Sequence, residues 1–554
     1  MRRDLPARIR ICAAALAALS SFGVSSVGAD ANGVPLCTAA NDQLRPVIVS
    51  DGSGGAIVAW HDNRPTAAAG GVCYAQHVNA NGAPQWAPDG VALSTTGDPG
   101  LPVITSDGAG GAFVAFAGDG SPPRAQWVNA AGVPQWGADG TQLSVTTSTR
   151  DLAITRDLNG GGGAIVAWRQ DGATGGTSDI FAQRVNSAGA IQWGGSGGDV
   201  TPTNMNNETL PALVSDGSGG VFIVWLVGTV GARVQRLNSS GTAQWSGTPL
   251  SATSNNNVPV IVADGTGGAI AAWAGGGTYA QRVSSAGVRE WSPPGGGVTL
   301  STTGTMPTMI SDGAGGATIV WQDFRSGTNY NLYAQRVNST GATQWTVNGA
   351  PVCTATADQL APTIVSDGGT GSIISWYDLR YSNATGSDIY VQRLDSSGAP
   401  QWMLDGLPLC TVTNNQDYPT IASDGAGGAF VAWQDLRSGT NEDIYAQRVT
   451  TDGMVLSVPP TRVTTAMGRA WPNPFSDGVR MEFVLPAEAR IRMKVCDVGG
   501  RIVRDFGSAL LTGGSHSFRW DGRASDGRQV REGIYFLDVK GPGIAFSRSV
   551  VRLK

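Results

Sequence analysis

Four copies of one short pattern hold the residues best suited to chemistry in this chain: Trp60-His61-Asp62-Asn63-Arg64, Trp321-Gln322-Asp323-Phe324-Arg325, Trp376-Tyr377-Asp378-Leu379-Arg380 and Trp433-Gln434-Asp435-Leu436-Arg437. A carboxylate and a guanidinium two residues apart can offer charge-assisted hydrogen bonds to a polar ligand such as a glycan. On that reading Asp62, Arg64, Asp323, Arg325, Asp378, Arg380, Asp435 and Arg437 form a ligand-binding arc. The same pattern also reads as internal bracing, because a pair repeated in a repeat usually holds the repeat together. In that case each Asp caps its turn and pairs with an Arg of the following strand, such as Arg336, Arg393 or Arg448. Trp60, Trp168, Trp225, Trp273, Trp321, Trp376 and Trp433 end apolar runs and read as core before they read as sugar platforms.

Other chemistry has little to build on. The chain has three His, of which His516 lies far from His61 and His77, and it has no His-Glu-x-x-His, no phosphate-cradling loop with Lys and no Cys-x-x-Cys. Cys37, Cys73, Cys353, Cys410 and Cys496 are odd in number and widely scattered, which is not a disulfide framework. Calcium could be imagined at Thr440-Asn441-Glu442-Asp443 or at the Asp-Gly turns, but the spacing matches no ligand loop and turn chemistry explains the same residues. No catalytic residue, metal ligand or cofactor is therefore assigned. With 14% charged residues, a net charge of −5 and only three Lys, the chain lacks a basic surface for nucleic acid.

The elements that carry these residues come from a repeat. Asp-Gly-x-Gly-Gly followed by apolar residues and an aromatic recurs at Asp51, Asp107, Asp157, Asp216, Asp264, Asp312, Asp367 and Asp424, at a mean spacing of about 53 residues. In the sixth copy Met309-Ile310 leads into the glycine turn, and Ala317 to Trp321 and Leu332 to Val337 form the next two strands. A fourth strand is expected around Gln344-Trp345. Second strands such as Ala56-Ile57-Val58-Ala59-Trp60 are apolar throughout and must be buried on both faces. Four short strands per unit with two-sided burial predict an all-β protein: a β-propeller of eight blades, with seven as the alternative.

The ends predict how the ring closes. Asn32-Gly33-Val34-Pro35-Leu36-Cys37 matches Asn348-Gly349-Ala350-Pro351-Val352-Cys353 and Asp405-Gly406-Leu407-Pro408-Leu409-Cys410, so the N-terminal segment is expected to supply an outer strand to the last unit. In a closed ring units six, seven, eight and one are consecutive, and their Asp/Arg loops would share one face.

Two flanking segments differ from the repeat. Residues 1–29 carry Arg2, Arg3, Arg8 and Arg10, an apolar Ile11 to Leu19 and small residues at Val27-Gly28-Ala29, the pattern of a secretory signal peptide. Residues 30–465 are the propeller, and 466–554 hold all three Lys and a new rhythm of strand-like runs separated by turns, which reads as a small β-sandwich. Asn473-Pro474-Phe475, Val495 to Val503, Trp520-Asp521-Gly522, Gly533-Ile534-Tyr535-Phe536 and the ending Val550 to Lys554 resemble the immunoglobulin-like domain of the flagellar hook-capping family. They also resemble the C-terminal sorting domains of type IX secretion. The resemblance implies carriage across an outer membrane, with the secretion machinery as partner and a secreted or cell-surface location.

These readings converge on an exported, non-catalytic propeller acting as a binding or structural module toward a glycan or protein ligand. The alternative is a carbohydrate-active enzyme, a glycosidase or lyase on the same scaffold. The discriminator is asymmetry, since an enzyme needs acids present in one or two units only. Asp62, Asp323, Asp378 and Asp435 are equivalent copies, which favours the non-catalytic expectation.

Overall fold

The computed structural model describes residues 32–553 apart from 65–69, 96–99, 119, 160–161, 173–175, 196, 201–206, 229–230, 251–255, 292–295, 457–466, 472, 486–488, 512–513 and 542–543. The expected signal peptide, residues 1–29, lies outside the described residues. The described residues form strands and turns without a helix, and so contain no helix long and apolar enough to cross a membrane.

Each repeat unit forms one antiparallel sheet whose strands pair in chain order, giving eight such sheets between Val34 and Leu456. In the sixth, Gly304–Ser311 pairs with Ala317–Asp323, which pairs with Asn331–Val337, which pairs with Ala350–Cys353. The fourth strand is thus the Ala-Pro-Val-Cys segment, and the expectation centred on Trp345 is corrected. Gln344-Trp345 belongs to the preceding hairpin, where the Trp345 backbone N–H donates to Gln335 Oε1 at 2.8 Å. The indole then reaches into the next unit, donating from Nε1 to Ser396 O at 2.9 Å. A Trp has a large apolar body to cover and one N–H to satisfy, and both needs are met across the gap between sheets.

The glycine turn has a definite mechanical role. The Asp424 carboxylate accepts the backbone N–H of Ala426 at 2.8 Å and of Gly428 at 2.8 Å, which folds the loop over its own side chain. A Cβ on Gly428 would sit 2.3 Å from Val449 O, so the last glycine is required by close approach of the neighbouring strand. The other Asp424 oxygen accepts from Arg448 at 2.7 and 2.9 Å, tying the turn to the third strand.

Because the second strands are buried on both faces, every sheet must be covered on both sides, and each shares a core with the next. Ile373, Ile389 and Val391 pack with Val431, Trp433 and Val449 between the seventh and eighth sheets. The eighth sheet then packs on the first, with Phe430, Ala432 and Ile444 against Ile48, Val58 and Trp60. The ring is therefore of propeller type. Val34–Cys37 pairs antiparallel with Asp443–Val449, through Val34↔Ala446 and Pro35↔Tyr445, and so completes the last sheet from the other end of the chain.

Beyond residue 466 a three-stranded sheet (Met467–Trp471, Val479–Leu485, Gly514–Trp520) and a four-stranded sheet (Ile502–Leu511, Ala489–Asp497, Gly533–Gly541, Ile544–Arg552) share one core. That core includes Phe475, Met481, Val495, Trp520, Tyr535 and Leu537.

Leu36 is 2% exposed within the seam between the last and first sheets. Leu36→Ala is expected to lower the unfolding free energy by about 2–5 kcal/mol, as a buried Leu truncation does. Urea denaturation of the full chain checks this, and a loss below about 0.5 kcal/mol would mean that the strand does not support the ring.

Candidate functional site

Trp60 and Asp62 alternate onto the same face of a strand, so the indole and the carboxylate meet. Trp60 Nε1 donates to Asp62 Oδ2 at 2.8 Å, and the indoles of Trp321, Trp376 and Trp433 repeat this with Asp323, Asp378 and Asp435 at 2.7–2.9 Å. The guanidinium two residues on closes back: Arg64, Arg325, Arg380 and Arg437 each lie 2.6 Å from their own Asp. The same guanidiniums stack on Tyr74, Tyr333, Tyr390 and Tyr445, with 3.6–4.1 Å to the ring centroids. All four carboxylates are 0% exposed. The structure brings these eight residues to four consecutive units but turns each carboxylate inward.

The partner differs from the one expected. Arg336, Arg393 and Arg448 pair with the turn residues Asp312, Asp367 and Asp424 at 3.5, 2.8 and 2.7 Å, because the third strand runs back past the glycine turn at the opposite end of the sheet. At Asp323 burial pushes the carboxyl upward, but hydrogen bonds from Arg325, Ser301, Thr303 and Trp321 outweigh it and hold the group well below the usual carboxylate range. Burial pushes the thiols of Cys37, Cys353 and Cys410 up to about 12, so these sulfurs beside the clasps stay protonated and are not nucleophiles. In the third, fourth and fifth units the Asp is missing, and the buried indole N–H groups of Trp168, Trp225 and Trp273 have no hydrogen-bond partner among the described residues.

Units differ most at the mouth of the central channel. Each innermost strand except the second carries a register shift near its start, as between Leu44 and Val47 or between Asp417 and Thr420. At that bulge a non-glycine residue sits in the left-handed region: Arg45 (φ 53°), Asp151 (51°), Met306 (49°) and Tyr418 (52°) among them. The strained backbone aims these side chains into one cavity of about 880 Å³, whose lining includes Arg45, His61, Arg150, Asp151, Met306 and Tyr418. His61 Nδ1 lies 3.0 Å from Gly100 O of the second unit, Gln434 Oε1 accepts the Arg45 backbone N–H at 3.2 Å and Gln322 Oε1 accepts that of Ala361 at 2.7 Å, so the residue after the buried Trp braces the innermost strand of the next unit.

The third unit is unlike the others. In place of Trp-x-Asp-x-Arg it has Trp168-Arg169-Gln170-Asp171. Arg169 lies 2.7 Å from Asp171 and 3.7 Å from Asp151, and Arg150 lies 3.5 Å from Asp171. Two carboxylates joined by one guanidinium therefore sit beside the cavity, in a single unit. The sequence reading missed them because it followed what repeats. The available signal was that the third unit alone lacks the Pro of the innermost strand, having Asp151-Leu152-Ala153 where the other units have a residue followed by Pro, as in Arg45-Pro46 and Tyr418-Pro419.

No protein-family model matches the chain, and no curated protein matches it. Among solved structures it is similar to the BP39L lectin of Burkholderia pseudomallei, at 12% identity over 65% of this chain and 98% of that one, with a TM-score of 0.43. It is similar to an α-L-arabinanase of Penicillium chrysogenum, at 11% identity over 76% and 98% of the two chains, with a TM-score of 0.34. It is also similar to PorZ, a surface component of the type IX secretion system of Porphyromonas gingivalis, at 13% identity over 94% and 82%, with a TM-score of 0.25. At such identities the likeness concerns the fold alone.

The expectation of a non-catalytic module is corrected here. Solved structures similar to this chain include an endo-arabinase, an α-L-arabinofuranosidase, an α-L-arabinanase and a sialidase beside the lectin, at 11–14% identity. The asymmetry that discriminates the two readings is also present in the chain itself, since Asp151 is an acid that no other unit repeats at the equivalent position, whereas Asp171 has a counterpart in Asp119 of the second unit.

Asp378 and Asp388 face each other across neighbouring strands and should respond in opposite senses. Asp378→Asn leaves the Arg380 guanidinium without its counter-charge and is expected to cost about 3–5 kcal/mol at pH 8. Burial, reinforced by the Asp378 charge and opposed by the Thr385 hydroxyl, raises Asp388 to about 6. A carboxyl raised in the folded state binds its proton more tightly there than in the unfolded chain, so stability declines as pH rises from about 4 to about 6 and stays lower above. Asp388→Asn should raise the melting temperature at pH 8 and leave it unchanged near pH 4; Asn331 already occupies the equivalent place in the sixth unit. Thermal unfolding of both variants at the two pH values is the check.

Proposed function

We propose that this chain is a carbohydrate-active enzyme, a glycosidase or lyase working at the channel mouth on the third unit. The observation that carries this reading is Asp151, a non-repeated acid lining a cavity of about 880 Å³ and joined through Arg169 to a second carboxylate, Asp171. A glycosidase uses two carboxylates flanking the scissile bond, one as acid and one as base or nucleophile, while a lyase needs a base and a cation that stabilises developing negative charge. Asp151 is the candidate acid or base, and Arg169 is the group that orients it. Leu101 and Met306, both exposed, supply the apolar surface against which the face of a sugar ring packs.

Asn is tolerated in the left-handed backbone region that Asp151 occupies, so Asp151→Asn changes the charge and little else. Purified full chain should release reducing ends, or an unsaturated product, from at least one member of a plant and bacterial polysaccharide panel. The variant should be slower by about 10²–10⁴-fold with an unchanged melting temperature. Absence of turnover on the whole panel, or a variant as fast as the parent, would sink the reading.

The same reading takes the eight sheets of residues 30–465 as eight blades of a closed propeller, supported by the shared core of first and last sheets. Residues 466–554 are taken as an immunoglobulin-like sorting domain and residues 1–29 as an export signal, with delivery to the cell surface or the exterior. The separate core around Trp520 supports independent folding of the tail. Removal of residues 470–554 should leave a protease-resistant propeller that stays in the periplasmic fraction of a host with type IX secretion, while the intact chain leaves it. Equal delivery of both forms would contradict the sorting role.

A further inference from the structure

We propose that the sugar taken at the channel mouth is an acidic one, anchored through its carboxylate by Arg45. The inference rests on the carbohydrate-active reading and adds the class of substrate.

The argument begins with where the arginines go. Residues 30–465 hold 18 Arg, no Lys and 32 Asp or Glu, so the region as a whole repels anions. Ten of those Arg are engaged in the repeated clasps, four with the buried Asp after Trp and six with the Asp of the glycine turn. Of the eight outside that scheme, Arg45 and Arg150 line the cavity and Arg169 lies beside it through Asp151. Two of them, Arg150 and Arg169, lie 2.7–3.7 Å from Asp151 or Asp171.

Arg45 is different. It is exposed, lines the cavity, and has no carboxylate partner among the described residues. Its guanidinium lies flat over the Tyr418 ring, 3.4 Å from the centroid. A stacked guanidinium uses its π face and keeps its N–H donors around the edge, in the fork geometry that fits a carboxylate. Asp417, next to Tyr418, feels the Arg45 charge but makes no ion pair with it within 4.0 Å, and its Oδ1 accepts from Ser387 Oγ at 2.6 Å. The side chain is also held in place from behind. The φ of 53° at Arg45, the following Pro46 and the hydrogen bond from its backbone N–H to Gln434 leave the residue no alternative rotation of its backbone. A strained, braced, unpaired cation on a tyrosine platform inside a net-negative ring is a specific anion anchor, and a ring-stacking surface beside it selects an anion carried on a sugar.

Polygalacturonate and alginate, each compared with its carboxyl-reduced counterpart, are the probes, with dextran sulfate as a third arm. Calorimetric titration of the full chain should give at least tenfold tighter binding of one acidic polymer than of its reduced form. Arg45→Gln should abolish that preference while the melting temperature stays put, and Asp151→Asn should retain it. Equal binding of acidic and reduced forms, a preference that survives Arg45→Gln, or dextran sulfate bound as tightly as the uronate polymer would overturn the proposal. Loss of the preference with turnover of a neutral polysaccharide intact defeats this inference alone. A preference for uronate without turnover of any polymer defeats the enzymatic reading alone.

Discussion

A strand that is apolar on both faces has to be covered on both faces, and the architecture follows from that requirement. Ala56 to Trp60 and its equivalents are buried, so no sheet of the repeat units can face water on one side. A row of such sheets always leaves its two ends bare. Closing the row into a ring removes both ends at once, and the contact of Phe430 and Ile444 with Val58 and Trp60 is where that happens. The strand Val34–Cys37 then covers the outer edge of the final sheet, joining the two ends of the repeat array.

Tight burial brings a polar problem, because each second strand ends in an indole N–H and leads directly into a loop. The chain solves it in four units by burying a carboxylate that accepts from the indole, the loop and the following Arg together. Such a group is stabilising only when all its partners are present. The Asp of the glycine turn performs a parallel role at the opposite end of the sheet, with its Arg or His drawn from the third strand; in the first unit His77 Nε2 lies 2.8 Å from Asp51. Ten of the eighteen arginines in the ring are therefore internal and structural. That arrangement is what makes a few unengaged charges at the channel mouth informative.

The mouth is built on strain. Left-handed backbone at Arg45, Asp151, Leu210, Met306 and Tyr418 costs free energy that only the surrounding sheet can offset. It recurs around the ring because it is geometric, bending each innermost strand where the ring is narrowest. The side chains it exposes, by contrast, vary from unit to unit. Scaffold and site are thus separated within a single repeat: the paired strands hold the ring, and the left-handed residue at the bulge differs from unit to unit.

Sequence by itself determined the period, the two-sided burial of the second strands, the glycine turns and the match between Val34-Pro35-Leu36-Cys37 and the segments that follow Trp345 and Trp402, because all of these are read from local residue patterns. It did not determine the partner of any charge. Asp62 with Arg64 and Asp424 with Arg448 could have been assigned the other way from spacing alone, and the choice was made by which end of the sheet each loop occupies. Nor did it reveal the fourth strand at Ala350–Cys353, since Trp345 looks like a strand residue until the neighbouring unit is there to receive it. The channel mouth was the least legible of all. Arg45, Asp151 and Tyr418 are hundreds of residues apart at the extremes and meet only because ring closure returns the last unit to the first, a constraint that belongs to the tertiary structure and to no local segment.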